Sequence, residues 1–290
     1  GSVADAMKVQ GADGVGLLRT ELFFLDHKIT PTRAQQVKIY EQVLAAGPDG
    51  EIIVRTLDAG SDKPIVFLGL GREENPALGM RGQRVAVISP QFFEDQLHAI
   101  KAAADSVRAT GKKIEVSVMA PMIATVEEAE QFSKAARAAG FTRVGIMIEI
   151  PAITRVIPQL KGVVDFLSIG TNDLSQYLFA ADRVNSGVAA LLNPWQPALL
   201  SLLESIAIDS AKVGIKVGVC GEAASDPLLA VVMAGLGINS VSASPSSVAA
   251  VLDLLSRVDA SAAREAASSA RSANTPREAK AAAKAALIAI

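Results

Sequence analysis

Arginine and acidic side chains recur directly after short apolar runs in this sequence. Arg19 follows VGLL, Arg55 follows IIV and Glu149 follows VGIMI. If these runs are parallel strands, the side chains that follow them gather at one edge of the sheet. Carboxylates there would bind Mg²⁺ or Mn²⁺, and guanidinium groups would bind a phosphate or a carboxylate. The pattern therefore predicts a site for a small, strongly anionic metabolite.

The stretch DFLSIGTNDLSQYLFAADR supplies the densest set of such groups. An apolar strand ends here on Asn172 and Asp173, and Arg183 follows ten residues after Asp173. The long irregular segment between residues 58 and 90 adds Arg81 and Arg84, and an insertion of that length in a compact domain is usually functional. An alternative stays open, in which the arginines and the carboxylates only pair with one another.

Cys220 is the single cysteine of the chain, so an internal disulfide and a multi-cysteine metal site are excluded. A lone cysteine in an apolar run is usually a small buried hydrophobe. Cys220 instead ends its run beside Gly221 and Glu222, and this position favours a proton donor or a nucleophile. His27 and His98 are predicted to lie in a loop and on a helix, with no catalytic role.

Short β-rich runs alternate with segments of helical period, which is typical of parallel βα units. The predicted fold class is α/β, a (β/α)8 TIM barrel, with a doubly wound open sheet as the alternative. The eighth strand is placed only loosely, near residues 84–88. We predict a barrel domain over residues 1–260 and an Ala-rich helical segment over 261–290, part of the barrel or packed on it. The seven predicted strands are 15–18, 52–56, 115–120, 144–150, 164–169, 215–220 and 238–242.

The composition excludes several classes of function. Lys and Arg total 28 against 30 Asp and Glu. The chain therefore lacks the excess positive charge that is typical of nucleic-acid-binding proteins. The apolar runs are too short to cross a bilayer, and the glycines match neither a dinucleotide fingerprint nor a P-loop. We therefore expect a cytoplasmic protein with no nucleotide cofactor, no nucleic-acid partner and no membrane insertion.

The stretch FLSIGTNDLSQY, with Arg183 following in AADR, resembles the signature of the phosphoenolpyruvate-utilising enzymes. The likeness covers the chain from about residue 11 to about residue 245 and is closest to the Enzyme I branch of the family, which serves the sugar phosphotransferase system. It implies a (β/α)8 barrel that binds phosphoenolpyruvate (PEP) and forms a homodimer. The other matching segments are GVGLLRTE, IIVRTLDAGSDKP, ENPALGMRG, VMAPMIAT, GIMIEIPA and VGVCGEAASDP.

The resemblance also implies a role for each matching residue. The metal ligands would be Glu149 and Asp173, holding Mg²⁺ or alternatively Mn²⁺. Cys220 would protonate the enolate at its methylene carbon to give pyruvate. The groups that would bind PEP are Arg19, Arg55, Arg81, Asn172, Asp173 and Arg183.

The sequence departs from the family at the phosphoryl acceptor. Family members pass the phosphoryl group to a histidine in a Gly-Gly-Thr-x-His-like segment of an N-terminal domain, and no such segment occurs here. We therefore expect a substrate-binding half that serves an N-terminal phosphohistidine domain and, through the full-length enzyme, the carrier protein HPr. Three alternatives stay open: a domain of pyruvate phosphate dikinase or PEP synthase, a Mg²⁺-dependent pyruvate aldolase or lyase, and a non-catalytic sensing module.

Overall fold

A computed structural model describes residues 11–60 and 65–288 of the chain. Its parallel sheet has seven strands in the order β1-β2-β3-β4-β5-β6-β7. A doubly wound sheet reverses its strand order at a switch point, and this sheet does not. The fold is therefore an α/β barrel, as predicted. The strands are β1 (Gly14–Arg19), β2 (Gly50–Arg55), β3 (Ile114–Ala120), β4 (Val144–Ile148), β5 (Phe166–Gly170), β6 (Lys216–Cys220) and β7 (Ser240–Val241).

Helices alternate with these strands, and all seven predicted strands are confirmed to within a few residues at their ends. Every residue of β4 and β5 is buried, which explains why both read as continuous apolar runs rather than alternating ones. The α-helices are α1 (Arg33–Ala46), α2 (Pro90–Ala109), α3 (Val126–Ala138), α4 (Thr171–Leu178), α5 (Pro197–Val213), α6 (Pro227–Gly235), α7 (Val248–Arg257), α8 (Ala260–Arg271) and α9 (Pro276–Ile288).

The prediction of an eighth strand near residues 84–88 was wrong. A 3-10 helix occupies Gly82–Val87. It begins at Gly82, whose φ is +58 and whose amide donates to the carbonyl of Ala59, so the segment starts with a left-handed turn rather than an extended strand. No eighth strand occurs within residues 11–60 and 65–288. The closure of the barrel by an eighth strand therefore stays a prediction.

The chain divides into two compact units. The first comprises Gly1–Ile123 and Glu127–Met147, and it holds β1 to β3 with α1 and α2. Aromatic rings pack beside α1, with Phe24 in edge contact with both Tyr40 and Phe92. Phe24 and Tyr40 are fully buried, so this cluster forms a core for the unit.

The second unit comprises Ala124–Val126 and Ile148–Ile290, and it holds β5 to β7 with α4 to α9. Helices α6 and α8 approach closely at Gly235. A Cβ added there would lie 2.0 Å from the carbonyl oxygen of Ala263, so the approach requires a glycine. The Ala-rich tail is helical, and its buried alanines include Ala266 and Ala283.

The boundary predicted between residues 260 and 261 stays a prediction. Residues 1–10 of the predicted barrel, 61–64 of the matching segment IIVRTLDAGSDKP and 289–290 of the tail lie outside the described residues. None of the described helices has the length and apolar character needed to span a membrane.

Candidate functional site

Arg55 ends β2 in the first unit and is held between two carboxylates. Its Nη2 lies 2.7 Å from Glu21 Oε1, and its Nη1 lies 3.1 Å from Asp58 Oδ2. Its Nη1 also contacts Met147 Sδ at 3.7 Å. The side chain is 6% exposed, and a guanidinium this buried requires such partners.

Asp58 links Arg55 to a second buried arginine. Arg81 Nη2 donates to both carboxylate oxygens of Asp58, at 3.1 and 3.3 Å. Arg81 and Asp58 are 4% and 8% exposed, so the pair is shielded from solvent. Arg19, at the end of β1, is exposed. Arg84 donates to the carbonyls of residues 78 and 79 and is not part of the Arg81–Asp58 pair.

A fully buried amide, Gln96 of α2, fixes the strand ends that carry these groups. Its Nε2 donates to Thr20 Oγ1 at 3.3 Å and to the Tyr40 hydroxyl at 2.9 Å. Its Oε1 accepts the amide of Leu57 at 3.0 Å, and Leu57 lies between Arg55 and Asp58. Burial raises the pKa of Tyr40, so its hydroxyl stays protonated at neutral pH. Gln96 therefore ties helix α2 to the ends of β1 and β2.

Replacing Gln96 by Leu is expected to lower the free energy of unfolding by about 2–4 kcal/mol, because the Leu57 amide and the neighbouring hydroxyls lose a buried partner. Urea unfolding measures this difference. Gln91→Leu on the same helix, where Gln91 is exposed, should stay within about 0.5 kcal/mol of the parent. Equal stability of the two variants would contradict the positioning role of Gln96.

Two buried carboxylates face each other in the second unit. Glu149 follows β4, and Asp173 lies in the first turn of α4, where the helix dipole favours a negative charge. Each offers an oxygen within 4.8 Å of the other, and they are 1% and 6% exposed. A Cβ added at Gly170 would lie 2.7 Å from Glu149 Oε1, so the glycine makes room for this carboxylate.

Arg183 and Asn172 border the carboxylate pair. Arg183 Nη1 lies 3.6 Å from Asp173 Oδ1, and the Arg183 amide donates to Gln176 Oε1 at 3.0 Å. Asn172 Oδ1 accepts the amide of Glu222 at 3.4 Å, which connects α4 to the segment after β6. The short helix α4 thus carries the Asp173 carboxylate, the Asn172 side-chain amide and Gln176, which holds the main chain of Arg183.

Cys220 ends β6 beside β5 and is 2% exposed. Its Sγ accepts a hydrogen bond from Ser168 Oγ at 3.7 Å and donates to the Ile169 carbonyl at 3.4 Å. Thr171 Oγ1 donates to the Cys220 carbonyl at 3.0 Å. Gly221 follows with φ +97, and an added Cβ would meet Thr171 Oγ1 at 2.6 Å. The thiol is thus fixed at the strand end by contacts on two sides.

The donor set suits a hard divalent cation. Glu149 and Asp173 of the second unit are buried carboxylates that could hold a metal ion, and carboxylate oxygens are what Mg²⁺ and Mn²⁺ prefer. A side chain at position 170 would crowd the Glu149 carboxylate, and glycine at this position avoids that clash.

The structure distributes the predicted site residues over the two units. Arg55 and Arg81 meet at Asp58 in the first unit. Three residues of this region were not predicted to act: Glu21, Asp58 and Gln96. The position of Asp58, three residues after Arg55, was the only available signal for it. In the second unit, Glu149 follows β4, Asn172 and Asp173 lie in the first turn of α4, and Cys220 ends β6. Arg183 follows α4 by five residues.

Comparison with known proteins agrees with this chemistry. Residues 2–260 match the family model described as the PEP-utilising enzyme, PEP-binding domain. A phosphoenolpyruvate-protein phosphotransferase of Streptomyces coelicolor is 45% identical over 96% of this chain and 49% of its own length. A protein of the same name from Latilactobacillus sakei is 40% identical over 86% of this chain and 44% of its own length.

Multiphosphoryl transfer protein 1 of Escherichia coli is 36% identical over 88% of this chain and 31% of its own length. The chain thus spans about half, or less, of the length of these relatives. The family model covers most of the sequence, including every residue predicted to act. The chain belongs to the family of PEP-binding domains of the PEP-utilising enzymes.

Proposed function

We propose that this chain is the PEP-binding, catalytic domain of a PEP-protein phosphotransferase of the Enzyme I type. It binds PEP and Mg²⁺, supports transfer of the phosphoryl group to a histidine on a separate N-terminal domain, and releases pyruvate. Support comes chiefly from the buried pair Glu149 and Asp173, with Arg183 3.6 Å from Asp173. Two neighbouring buried carboxylates repel each other, and a shared cation relieves that repulsion.

Glu149 and Asp173 would hold the metal ion, Mg²⁺ or alternatively Mn²⁺. When bound, such an ion neutralises charge on the phosphate and on the enolate oxygen. Arg19, Arg55, Arg81 and Arg183 would bind phosphate oxygens, and Asn172 would donate its amide to them. Phosphoryl transfer passes through a loose transition state, so positioned positive charge is the main help that the protein gives.

Cys220 would supply the proton. When the bond between phosphorus and the enol oxygen breaks, the phosphoryl group moves to the acceptor nitrogen and the electron pair stays on the enolate. The thiol then gives its proton to the methylene carbon, which yields pyruvate and leaves a thiolate that solvent reprotonates. The reverse reaction removes a methyl proton from pyruvate.

The proposed partners follow from the resemblance to the Enzyme I branch of the family. The N-terminal phosphohistidine domain of the same enzyme accepts the phosphoryl group, and HPr receives it through the full-length enzyme. We propose a homodimer as the assembled form. The closeness of the phosphotransferase relatives, at 35–45% identity, favours this branch over the dikinase and aldolase alternatives.

Calorimetric titration with PEP, with and without Mg²⁺, tests the proposal. Binding should depend on the metal, and Glu149→Gln should weaken metal-dependent binding by about 30-fold or more, since a ligand charge is lost. Glu265→Gln, at an exposed position of α8, is the matched control and should bind like the parent. Binding that ignores both Mg²⁺ and Glu149→Gln would overturn the metal assignment, and pyruvate with aldehydes would then be tested as substrates.

A further inference from the structure

Asp226 is a junction between the segment after β6 and the C-terminal tail. Its side chain caps α6, where Oδ1 accepts the amides of Leu228 and Leu229 at 3.0 and 3.4 Å. Its other oxygen, Oδ2, accepts from Lys280 Nζ at 2.9 Å and from Trp195 Nε1 at 3.1 Å. Both carboxylate oxygens are therefore fully used by partners from three parts of the second unit.

Lys280 brings the tail helix α9 to this junction. Its ammonium group lies 5.4 Å from the centre of the Trp195 ring, within the range of a cation–π contact, while it also pairs with Asp226. Trp195 is 3% exposed, whereas the side chains of Lys280 and Asp226 are 54% and 26% exposed, so the ring is shielded from water and the ion pair only in part. Burial alone would raise the pKa of Asp226, but the hydrogen bonds from Lys280 and Trp195 outweigh it and lower the pKa.

A short loop connects Asp226 to Cys220. Its residues 221–225 run from the end of β6 through a 3-10 helix, Glu222–Ser225. At the Cys220 end the loop is held by Thr171 and Asn172. At the other end the 3-10 helix closes on Asp226, whose amide donates to the Ala223 carbonyl at 3.4 Å, and Ser225 Oγ accepts the amide of Ser244 at 2.9 Å. A loop of five residues fixed at both ends has little freedom, so a displacement of Asp226 would be expected to reach the contacts near Cys220.

We propose that helix α9 is a brace for the Cys220 loop. Lys280 and Asp226 act as positioning residues: Lys280 holds Asp226, and Asp226 fixes the far end of residues 221–225. The catalytic consequence rests on the role of Cys220 in the proposed function, but the brace itself does not. The brace gives the Ala-rich tail a role, because Lys280 of the tail contacts Asp226 at the far end of the Cys220 loop.

The reactivity of the thiol tests the brace directly, because Cys220 is the only cysteine of the chain and is buried. Lys280→Met should raise the rate of Cys220 alkylation by iodoacetamide about fivefold or more, since the loop opens more often. Lys280→Arg keeps the charge and should restore the parent rate. Lys284→Met, one turn further along α9 at an exposed position, should leave the rate unchanged.

Low urea separates a local opening from global unfolding. The extra alkylation in Lys280→Met should be nearly independent of urea, whereas alkylation through global unfolding rises steeply with it. The fluorescence of Trp195, the only tryptophan, should change in Lys280→Met and not in Lys284→Met. An unchanged alkylation rate, or extra alkylation that follows global unfolding, would overturn the brace.

The proton-exchange activity extends the test to function. In Lys280→Met, kcat for exchange at the methyl group of pyruvate should fall about fivefold with little change in KM, because the thiol and not the anion site is displaced. Unchanged kcat alongside faster alkylation would overturn the positioning role. If the parent chain neither binds PEP nor exchanges protons, the proposed function fails, and the alkylation and fluorescence results still decide the brace.

Discussion

Replacing Cys220 by Ala is expected to lower the rate of proton exchange at the methyl group of pyruvate by about 10²–10⁴-fold. The thiol is the proton donor and acceptor in the proposed reaction, and no second thiol exists in the chain. Exchange in D₂O, followed by the loss of the methyl proton signal, measures the rate. Affinity for PEP should stay within about threefold of the parent, since the side chain holds no anion.

Two further variants define the role of Cys220. Cys220→Ser keeps the size and the hydrogen bond but raises the pKa of the group far above neutral, so exchange should be lost as in the alanine variant. Ser168→Ala removes only the hydroxyl that donates to the sulfur at 3.7 Å and should cost far less. Parent-like exchange in Cys220→Ala would remove the thiol from the mechanism.

Replacing Arg55 by Ala is expected to weaken PEP binding at least about 100-fold, which corresponds to about 2.7 kcal/mol. The variant loses a phosphate ligand and also leaves Glu21 and Asp58 as carboxylates without this cation. The phosphate of PEP would then approach the carboxylates of Glu21 and Asp58 without the guanidinium group of Arg55 between them. Removing one partner of a buried pair should also lower the free energy of unfolding by about 3 kcal/mol or more. Calorimetric titration and urea unfolding measure the two effects.

Controls separate these effects. Arg55→Lys keeps the charge but not the planar fork, so it should fold better than Arg55→Ala and still bind PEP more weakly than the parent. Arg33→Ala breaks an exposed pair with Asp95 and should cost at most about 1 kcal/mol, with parent-like binding. If Arg55→Ala folds and binds PEP as tightly as the parent, Arg55 is not a phosphate ligand. If Arg55→Ala does not fold, parent-like binding by folded Arg55→Lys would contradict the need for the planar fork.

Periodicity alone located the sheet because the strands of a parallel sheet are buried on both faces. Continuous apolar runs at β4 and β5 therefore stand out without any tertiary information. The same reasoning failed at residues 84–88, where a short apolar run forms a 3-10 helix. A run of that length favours no single structure, and the left-handed turn at Gly82 decided the outcome locally.

The partners of the site residues were less accessible to sequence reasoning. Gln96 lies in α2, 39 residues from the Leu57 amide whose hydrogen bond it accepts. Its spacing of three from Phe93 and four from Ile100 places it on the apolar face of the helix, but that spacing does not identify its partners. Lys280 likewise lies in an alanine-rich helix, 54 residues from Asp226. Contacts over such separations depend on how helices pack against the sheet, which a residue pattern does not encode.

By itself, the sequence determined the α/β class, the positions of seven strands, the family and the residue types at the strand ends. These follow from burial and from chemistry that is local in the chain. Only the tertiary structure decided that Arg55 and Arg81 share Asp58, that Gln96 ties α2 to the strand ends, and that α9 reaches Asp226. The physical reason is that buried charges and amides must find partners wherever the fold brings them, however distant in sequence those partners are.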